Sequence, residues 1–372
     1  MKKNLIIFLA AVVLCSCAKD ATSGSIKSGE PIDVSFSLTP KNATKSSSAS
    51  SFDKTINNFQ IFVFNENGTL DAAGKQNGST PLTLLCTTGP KRIYALVNHS
   101  EDISKKTENE KALKAVKSYL QDNRYTTDPN NESLKGGFVL YGWKSQSLTT
   151  EPVTVEVSHI ASQVFIEKIT NDLNPALGKL TVNGVYCVNV AGEAILGDET
   201  YCPAATATWY NKKAYSKLTD NSLLHVNDLI SHINPDASKP VIANASYDAS
   251  KYYFYVYPNT TSADNSVAIF SPRYTRLVID ATIEKDVDGD GNPILHRYYP
   301  IDLCVKPGDA YAGSSVATTF IPLGRNKNYR ITNLKITRPG SLDPDVPLVI
   351  NSVKYEISVA DWSTGFEKEV EI

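Results

Sequence analysis

One stretch of the chain has acidic side chains at a spacing that could bind a metal ion. Three aspartates and a glycine follow the pattern that opens a calcium-binding loop: Asp286, Asp288, Asp290 and Gly291. At the twelfth position, where such a loop needs a bidentate glutamate, the chain has Arg297. The flanking residues 277–283 and 295–301 have the pattern of strands, whereas an EF-hand has helices there. Residues 286–292 are therefore more simply a hairpin loop rich in Asp and Gly, with calcium binding as the alternative.

The other residue types that commonly do chemistry are scattered. The five histidines are His99, His159, His225, His232 and His296. No two of them have the i, i+4 spacing of a helical zinc site. Motifs for serine hydrolysis, phosphate binding and dinucleotide binding are absent from the sequence. The sequence therefore predicts that the protein is not an enzyme and has no catalytic residue, bound metal or cofactor.

The cysteines beyond the N-terminal segment give little support to a redox or zinc site. They are Cys86, Cys187, Cys202 and Cys304, and none lies in a Cys-x-x-Cys pattern. Only Cys187 and Cys202 are close enough in sequence to suggest a disulfide across a hairpin. The alternative, lone buried cysteines in strands, is favoured because such cysteines are common.

The N-terminal segment has the features of a lipoprotein signal. Lys2 and Lys3 precede an apolar run, residues 5–14, that is too short to span a membrane. The run ends in Leu-Cys-Ser-Cys, which resembles a bacterial lipobox, and cleavage there leaves Cys17 as a lipid-carrying N-terminus. The sequence thus predicts a signal peptide over residues 1–17 and export from the cytoplasm. The alternative is a plain signal peptide with an incidental cysteine.

The composition favours a β-rich protein that does not bind nucleic acid. The formal net charge is −2 at pH 7, so the chain lacks the basic field that nucleic acids require. The chain has 19 Tyr and a single Met, which favours strands over helices. Its 372 residues are typical of two domains, and residues 171–176 contain a plausible boundary. The one predicted helix covers residues 103–120, where apolar residues recur at helical spacing.

Two segments near the ends of the chain alternate apolar and polar residues as half-buried strands do. The apolar residues of the first segment are Ile32, Val34, Phe36 and Leu38. Those of the second segment are Val353, Tyr355, Ile357 and Val359. A loop rich in Ser follows the first segment and contains Lys41 and Lys45, and exposed loops of this kind are preferred sites of proteolysis.

Seven short sequence patterns occur one after another along the chain. They lie at residues 59–68, 89–98, 155–164, 253–259, 275–279, 324–331 and 359–362. In this order, and together with the lipobox, they resemble the fimbrillins, the subunits of type V pili in anaerobic Gram-negative bacteria. The resemblance covers most of the mature chain.

The resemblance implies a mainly all-β fold of two transthyretin-like antiparallel β-sandwich domains, with one helix in the first domain. The implied division has a signal peptide at 1–17 and a tether with the first strand at 18–45, removed as a propeptide. An N-terminal domain follows at 46–172, and a C-terminal domain at 173–372 ends in a donor strand.

The resemblance also implies a structural role in a cell-surface fimbrium that mediates adhesion. Fimbrillins are exported as outer-membrane lipoproteins, and an outer-membrane protease then cuts the loop after the first strand. Loss of a sandwich edge strand exposes unpaired backbone groups and an apolar trough, which a strand from a neighbouring subunit fills. The implied partners are copies of the chain and other fimbrial subunits. Head-to-tail filling of this kind does not close, so it produces a filament.

The family's functional segments correspond to particular residues of this chain. The displaced strand contains Ile32, Val34, Phe36 and Leu38, and the donor strand contains Val353, Tyr355, Ile357 and Val359. The predicted cleavage bond joins Lys45 and Ser46, and the second choice joins Lys41 and Asn42. The best-known family pattern has arginine before the cut, whereas the first arginine of this chain is Arg92. The protease would therefore have to accept lysine.

A shaft subunit is not the only role that the sequence allows. Within the family, the chain could be the anchor subunit, which keeps its lipid and first strand, or the tip subunit, which needs no donor strand. Outside the family, it could be a monomeric surface lipoprotein that binds glycans on clustered tyrosines: Tyr252, Tyr253, Tyr255 and Tyr257.

Overall fold

Nearly all regular structure in the described residues is β-strand, as the sequence predicts. The computed structural model describes residues 29–41, 56–120, 137–204, 207–211, 231–233, 239–249, 253–261, 274–307, 310–311, 315–344 and 353–361. No helix in these ranges is long and apolar enough to cross a membrane. Cys17, Asn42, Lys45, Ser46 and Tyr252 lie outside them.

The first region contains the strands β1 (Pro31–Pro40), β2 (Asn58–Asn65), β3 (Leu70–Asn77), β4 (Leu82–Thr87), β5 (Gly89–Val97), β6 (Lys117–Tyr119), β7 (Leu140–Leu148) and β8 (Val153–His159). The short helix α1 (Glu110–Lys114) lies between β5 and β6. Apart from β6, these strands form one sheet in the order β3-β2-β5-β7-β8-β1-β4. The sheet folds over so that β3 and β4, at the two ends of this order, pack together: a Cβ on Gly74 of β3 would lie 2.6 Å from Leu84 Cδ2 of β4.

The second region begins with β9 (Ser162–Ile166), β10 (Lys168–Asn171), β11 (Leu180–Val188), β12 (Val190–Ala191), β13 (Glu193–Ile195), β14 (Trp209–Tyr210), β15 (Ser231–Ile233) and β16 (Ser246–Asp248). It continues with β17 (Tyr253–Val256), β18 (Arg276–Ile283), β19 (Arg297–Asp302), β20 (Ala310–Tyr311), β21 (Ser315–Val316), β22 (Lys327–Ile336) and β23 (Val353–Asp361). A 3-10 turn spans Pro175–Leu177.

Two sheets account for most of the second region. One has the order β16-β10-β22-β23-β20-β21, with β9 joining β17 and β22. The other has the order β15-β11-β18-β19. The strands β9 and β10 precede the predicted boundary at residue 172, yet they pair with strands of this second region. The change from one sheet system to the next therefore falls at Ile160 and Ala161, between β8 and β9.

The helix predicted over residues 103–120 is wrong for most of its length. Within that range, α1 covers five residues, and Lys117–Tyr119 forms β6, which pairs with β13 in the second region. At the start of the range, Thr107 bonds the carbonyl of Ile103 through both its backbone N–H and its hydroxyl, which closes a turn. The pairing of β6 with β13 joins residues far apart in sequence, so local helical spacing gives no sign of it.

The apolar interior is continuous through both regions. In the first region, β2 is buried on both faces, from Phe59 to Phe64. One of these faces lies under the segment between β5 and α1, because the side-chain oxygen of Gln60 in β2 accepts the backbone N–H groups of Ile103 and Ser104. The sheet that contains β1 therefore includes strands whose side chains are buried on both faces.

Candidate functional site

The first strand, β1, lies in the interior of its sheet rather than at the expected edge. Its first half pairs antiparallel with β4, from Pro31 opposite Thr87 to Phe36 opposite Leu82. Its second half pairs in parallel with β8, from Phe36 opposite Val153 to Pro40 opposite Val157. The expectation of an edge strand is wrong because β4 pairs with the side of β1 that does not face β8. The sequence does not reveal this neighbour, since β4 has no clear alternation of apolar and polar residues.

Backbone hydrogen bonds fix both ends of β1. At its start, Gly29 N donates to Thr88 O at 3.0 Å, and Thr88 N donates to Glu30 O at 2.9 Å. Just beyond its end, Lys41 N donates to Val157 O at 2.8 Å. The whole segment from Gly29 to Lys41 is therefore held as one extended strand.

The predicted apolar residues of β1 do lie on its buried side. Val34 and Phe36 have no exposed surface, and Ile32 and Leu38 are half-buried against the core. Their partners across the two ladders are also apolar or buried: Cys86 opposite Ile32, Leu84 opposite Val34, Leu82 opposite Phe36 and Val155 opposite Leu38. Full burial of a Val or Phe side chain contributes about 1.5–3 kcal/mol, so Val34 and Phe36 are the main anchors of β1.

The opposite side of β1 is polar. Ser37 forms a hydroxyl–hydroxyl hydrogen bond of 2.9 Å with Thr154 of β8, and Asp33 is exposed. On the buried side, burial raises the pKa of the Cys86 thiol to about 12, with a further contribution from the charge of Asp71. Cys86 is thus a protonated, apolar part of the wall. The position of β1 between β4 and β8, which we call the β1 seat, is a strip that is apolar inside and polar outside.

Of the predicted processing residues, the structure describes only Lys41. Lys41 is exposed, one residue beyond β1. Its backbone N–H bonds β8, so the bond between Lys41 and Asn42 lies directly at the end of the paired strand. If the chain were cut after Lys41, β1 would no longer be joined covalently to the rest of its sheet.

The predicted donor strand is β23. It pairs antiparallel with β22, from Val353 opposite Ile336 to Asp361 opposite Lys327, with a shift in register at Thr332 to Lys335. On its other side, Tyr311 of β20 opposite Ile357 is the only pair within the described ranges. Among the described residues, β23 therefore pairs along its length with β22 and at one position with β20, whereas β1 forms a ladder with each of its two neighbours.

The acidic loop forms a hairpin between β18 and β19, and Arg297 uses the carboxylate that calcium would need. Arg297 Nε lies 2.6 Å from Asp286 Oδ2, and Nη2 lies 3.2 Å from Asp286 Oδ1. Asp288 accepts backbone hydrogen bonds from Asn292 and Asp290, which lower the pKa of Asp288. Among the residues that the structure describes, no group of three His, Cys, Asp or Glu side chains could hold a metal ion.

The hairpin disulfide and the tyrosine platform suggested by the sequence are both absent from the described part of the chain. Cys187 and Cys202 are unbridged thiols. Tyr255 and Tyr257 are buried, and Tyr253 is half-buried and stacked on Phe165. The described tyrosines are covered because β17, which pairs with β9, is buried on both faces.

Comparisons with known proteins find sequence similarity to fimbrial subunits. Residues 32–165 match the family model of the major fimbrial subunit protein (FimA). The major fimbrium subunit FimC of Porphyromonas gingivalis is 23% identical over 310 residues, which cover 77% of this chain and 66% of that relative. The matched part thus spans slightly less than two thirds of that relative's length.

Solved structures share the fold. A fimbrilin (FimA) from Porphyromonas gingivalis W83 superimposes with a TM-score of 0.60 at 15% identity, covering 91% of this chain and 98% of that one. A cell adhesion protein, described as putative, from Bacteroides eggerthii gives a TM-score of 0.57 at 18% identity, with coverage of 91% and 98%.

Proposed function

Since the chain is related to the fimbrillins, as its sequence motifs indicate and these comparisons confirm, we propose that it is a structural subunit of a surface fimbrium that mediates adhesion. The precursor is exported as an outer-membrane lipoprotein with lipid on Cys17. A protease then cuts after the first strand, and the subunits polymerise by strand exchange. The mature protein is a member of the fimbrium and has no catalytic activity of its own.

The observation that carries this proposal is the position of β1 in the interior of a sheet. Loss of β1 leaves backbone donors and acceptors unpaired on both β4 and β8. It also uncovers the apolar side chains that face Val34 and Phe36. An extended strand with apolar residues at every second position restores both sets of contacts, since side chains alternate between the two faces of a strand.

The strand β23 has the sequence pattern that the β1 seat requires. Its apolar residues Val353, Tyr355, Ile357 and Val359 alternate with Lys354, Glu356, Ser358 and Ala360. Because β23 is paired mainly with β22 in the described part of the chain, its release breaks one long ladder rather than two. Its transfer to the β1 seat of a second copy would pair it with both β4 and β8 of that copy.

The donor and the seat lie in different sheets of the subunit, which supports a filament rather than a closed dimer. The seat is in the sheet of the first region, and β23 is in a sheet of the second region. A contact between two different surfaces of identical chains repeats from copy to copy without closing unless the rotation happens to form a ring.

The bond between Lys45 and Ser46 remains our first choice for cleavage, and the bond between Lys41 and Asn42 the second. The hydrogen bond from Lys41 N to β8 supports this order, because a protease needs a stretch of unpaired backbone around the bond that it cuts. With cleavage at either bond, Cys17 and the displaced strand leave together, so the lipid tether is lost with β1.

The experiment that tests the proposal is the double substitution Lys41→Ala with Lys45→Ala in the cells that make the protein. Filaments are counted by electron microscopy. We expect them to be lost while the uncleaved precursor accumulates in the outer membrane. The matched control is Lys27→Ala, because a cut after Lys27 leaves β1 attached, so this variant should form normal filaments. Normal filaments from the double variant would contradict the proposed processing.

An anchor or a tip subunit is the second candidate within the family. An anchor keeps Cys17 and β1, and a tip subunit needs no donor strand. Deletion of residues 352–372 distinguishes a shaft subunit from a terminal one. A shaft subunit without β23 stops filament growth, whereas a terminal subunit is still incorporated.

A further inference from the structure

The strand β4, which forms one wall of the β1 seat, depends on β1 for its backbone pairing. In the described residues, β1 is the only strand that forms a ladder with β4. The other wall is different, because the end of β8 beyond the residues that face β1 also pairs with β7, through Leu140 opposite His159 and Tyr141 opposite Ser158. On the proposed function, β1 is removed before another strand arrives, so β4 then has no ladder with any other strand that the structure describes.

On the side of β4 that faces away from β1, the carboxylate of Asp71 accepts hydrogen bonds from Thr87. Asp71 lies on β3, in the other half of the folded sheet. Its Oδ2 accepts the backbone N–H of Thr87 at 2.9 Å, and its Oδ1 accepts the Thr87 hydroxyl at 2.7 Å. These bonds do not involve β1, so they persist when β1 leaves.

Lys91 of β5 completes the connection. Its ammonium donates to Thr87 Oγ1 at 2.6 Å and to Asn65 Oδ1 at 2.5 Å, and it lies 3.3 Å from Asp71 Oδ2. The side chains of Lys91 and Asp71 are only 3% and 8% exposed. Thr87 is thus fixed by β3 and β5 together, at the end of β4 where β1 begins.

A buried pair of charges is a costly way to gain stability. Removing both ions from water costs several kcal/mol each, and apolar residues of similar volume often stabilise a protein equally well. The charged groups provide directional hydrogen bonds, which fix the position of Thr87 far better than apolar contact does.

We propose that Asp71 and Lys91 are positioning residues that hold β4 in place while the β1 seat is empty. The site for the incoming strand is then preformed, and the strand of a second copy binds without first having to order β4. This inference rests on the proposed function, because only strand exchange leaves the seat empty.

The test uses the pair Asp71→Leu with Lys91→Met, which keeps the volume and removes the hydrogen bonds. A site-specific protease sequence in place of residues 42–50 allows the chain to be cut. The freed β1 peptide is removed in mild urea, and the urea is then diluted. Cys86, buried on β4, is the probe: its labelling by N-ethylmaleimide is followed by mass spectrometry of the peptide that contains it.

In the uncut chain, β1 holds β4, so the two proteins should label Cys86 at rates within about threefold, the range left by small changes in stability. After removal of β1, labelling should be about 10- to 100-fold faster in the substituted protein than in the original, which is the protection that a hydrogen bond to a charged group gives. A merely structural role would raise labelling in the uncut chain as well. Equal rates in the two strand-free proteins would overturn the proposal.

The second measurement is the association rate of a labelled peptide of residues 351–363 with the strand-free proteins. We expect at least about a 10-fold slower association for the substituted protein, because β4 must first be ordered. If the original protein fails to bind the peptide, the proposed donor strand is wrong, whereas the labelling of Cys86 still reports on how Asp71 and Lys91 hold β4. The two failures are therefore distinguishable.

Two further variants control the test. Asp286→Leu with Arg297→Met removes a comparably buried ion pair in the β18–β19 hairpin and should change neither measurement. If the chain with Asp71→Leu and Lys91→Met does not fold, Asp71→Asn replaces it, since one amide oxygen still accepts the Thr87 N–H. An intermediate effect of Asp71→Asn on Cys86 labelling supports the proposal, and no effect overturns it.

Discussion

Phe36 of β1 lies opposite Val153 of β8 at the point where the pairing of β1 passes from β4 to β8. On its other side the same residue lies opposite Leu82 of β4, and its side chain is fully buried. Phe36 therefore contacts both walls of the seat and is the residue that a replacement strand most needs to imitate.

Substitution of Phe36 by alanine should have a large effect on the uncut protein. Loss of a buried phenylalanine costs about 3–5 kcal/mol of unfolding free energy, from lost burial and from the cavity that remains. Equilibrium unfolding in urea measures it. The neighbouring Ser37→Ala, which removes only a hydroxyl pair with Thr154, is the control and should cost about 1 kcal/mol or less. Similar losses for both variants would show that Phe36 is not an anchor.

Substitution of Gly142 by alanine should disrupt the junction of β7 and β8. A Cβ at this position would lie 1.8 Å from the backbone oxygen of Glu156, and backbone cannot move aside as a side chain can. We expect a loss of several kcal/mol in unfolding free energy. Thermal unfolding tests this, with Gly289→Ala as the control because its Cβ would meet nothing within 4 Å. Equal melting temperatures for the two variants would contradict the close approach.

The acid stability of the first region should depend on Glu110. Burial by itself raises the pKa of this carboxyl, but hydrogen bonds from Lys114, Tyr94 and Arg92 outweigh it and lower the pKa to about 2. A lowered pKa stabilises the folded state above the unfolded value of about 4.3, and this stability is lost as the pH falls toward 2.

Urea unfolding between pH 5 and pH 2, about the range set by these two pKa values, checks the role of Glu110. Glu110→Gln should be less stable at the upper end and should show a smaller loss of stability on acidification. Parallel curves for the two proteins would show that another carboxyl dominates.

The alternating sequence of the proposed donor strand predicts that substitutions at its apolar and polar positions affect filaments differently. Ile357→Lys replaces an apolar residue of the alternating sequence by a charged one and should abolish strand capture, since an unpaired charge in an apolar trough is strongly unfavourable. The neighbouring substitution Ser358→Lys is at a polar position of the alternating sequence and should be tolerated. Filament length by electron microscopy measures both, and equal effects would mean that the two faces are not distinguished.

The sequence predicts the strands that alternate clearly and misses those that do not. The alternation of residues 32–38 and 353–359 predicts β1 and β23 within a few residues. β3 (Leu70–Asn77) contains Ala, Gly, Lys and Gln, which have low strand preference, and only its pairing with β2 makes it a strand.

The site itself could be predicted only in part. The apolar residues of β1 follow from their spacing, but the position of β1 inside the sheet depends on β4, which lies far along the chain, as the pairing of Ile32 with Cys86 shows. The contact of Asp71 with Thr87 joins residues 16 positions apart on different strands, and no local pattern predicts it.

The account is tested most directly by the N-terminal sequence of the subunit recovered from purified filaments. Because the strand from Pro31 to Pro40 must leave before another strand can enter its seat, we expect the sequence to begin at Ser46, or at Asn42 if the second bond is cut. A filament subunit that begins at a lipid-modified Cys17 and still contains β1 would contradict strand exchange.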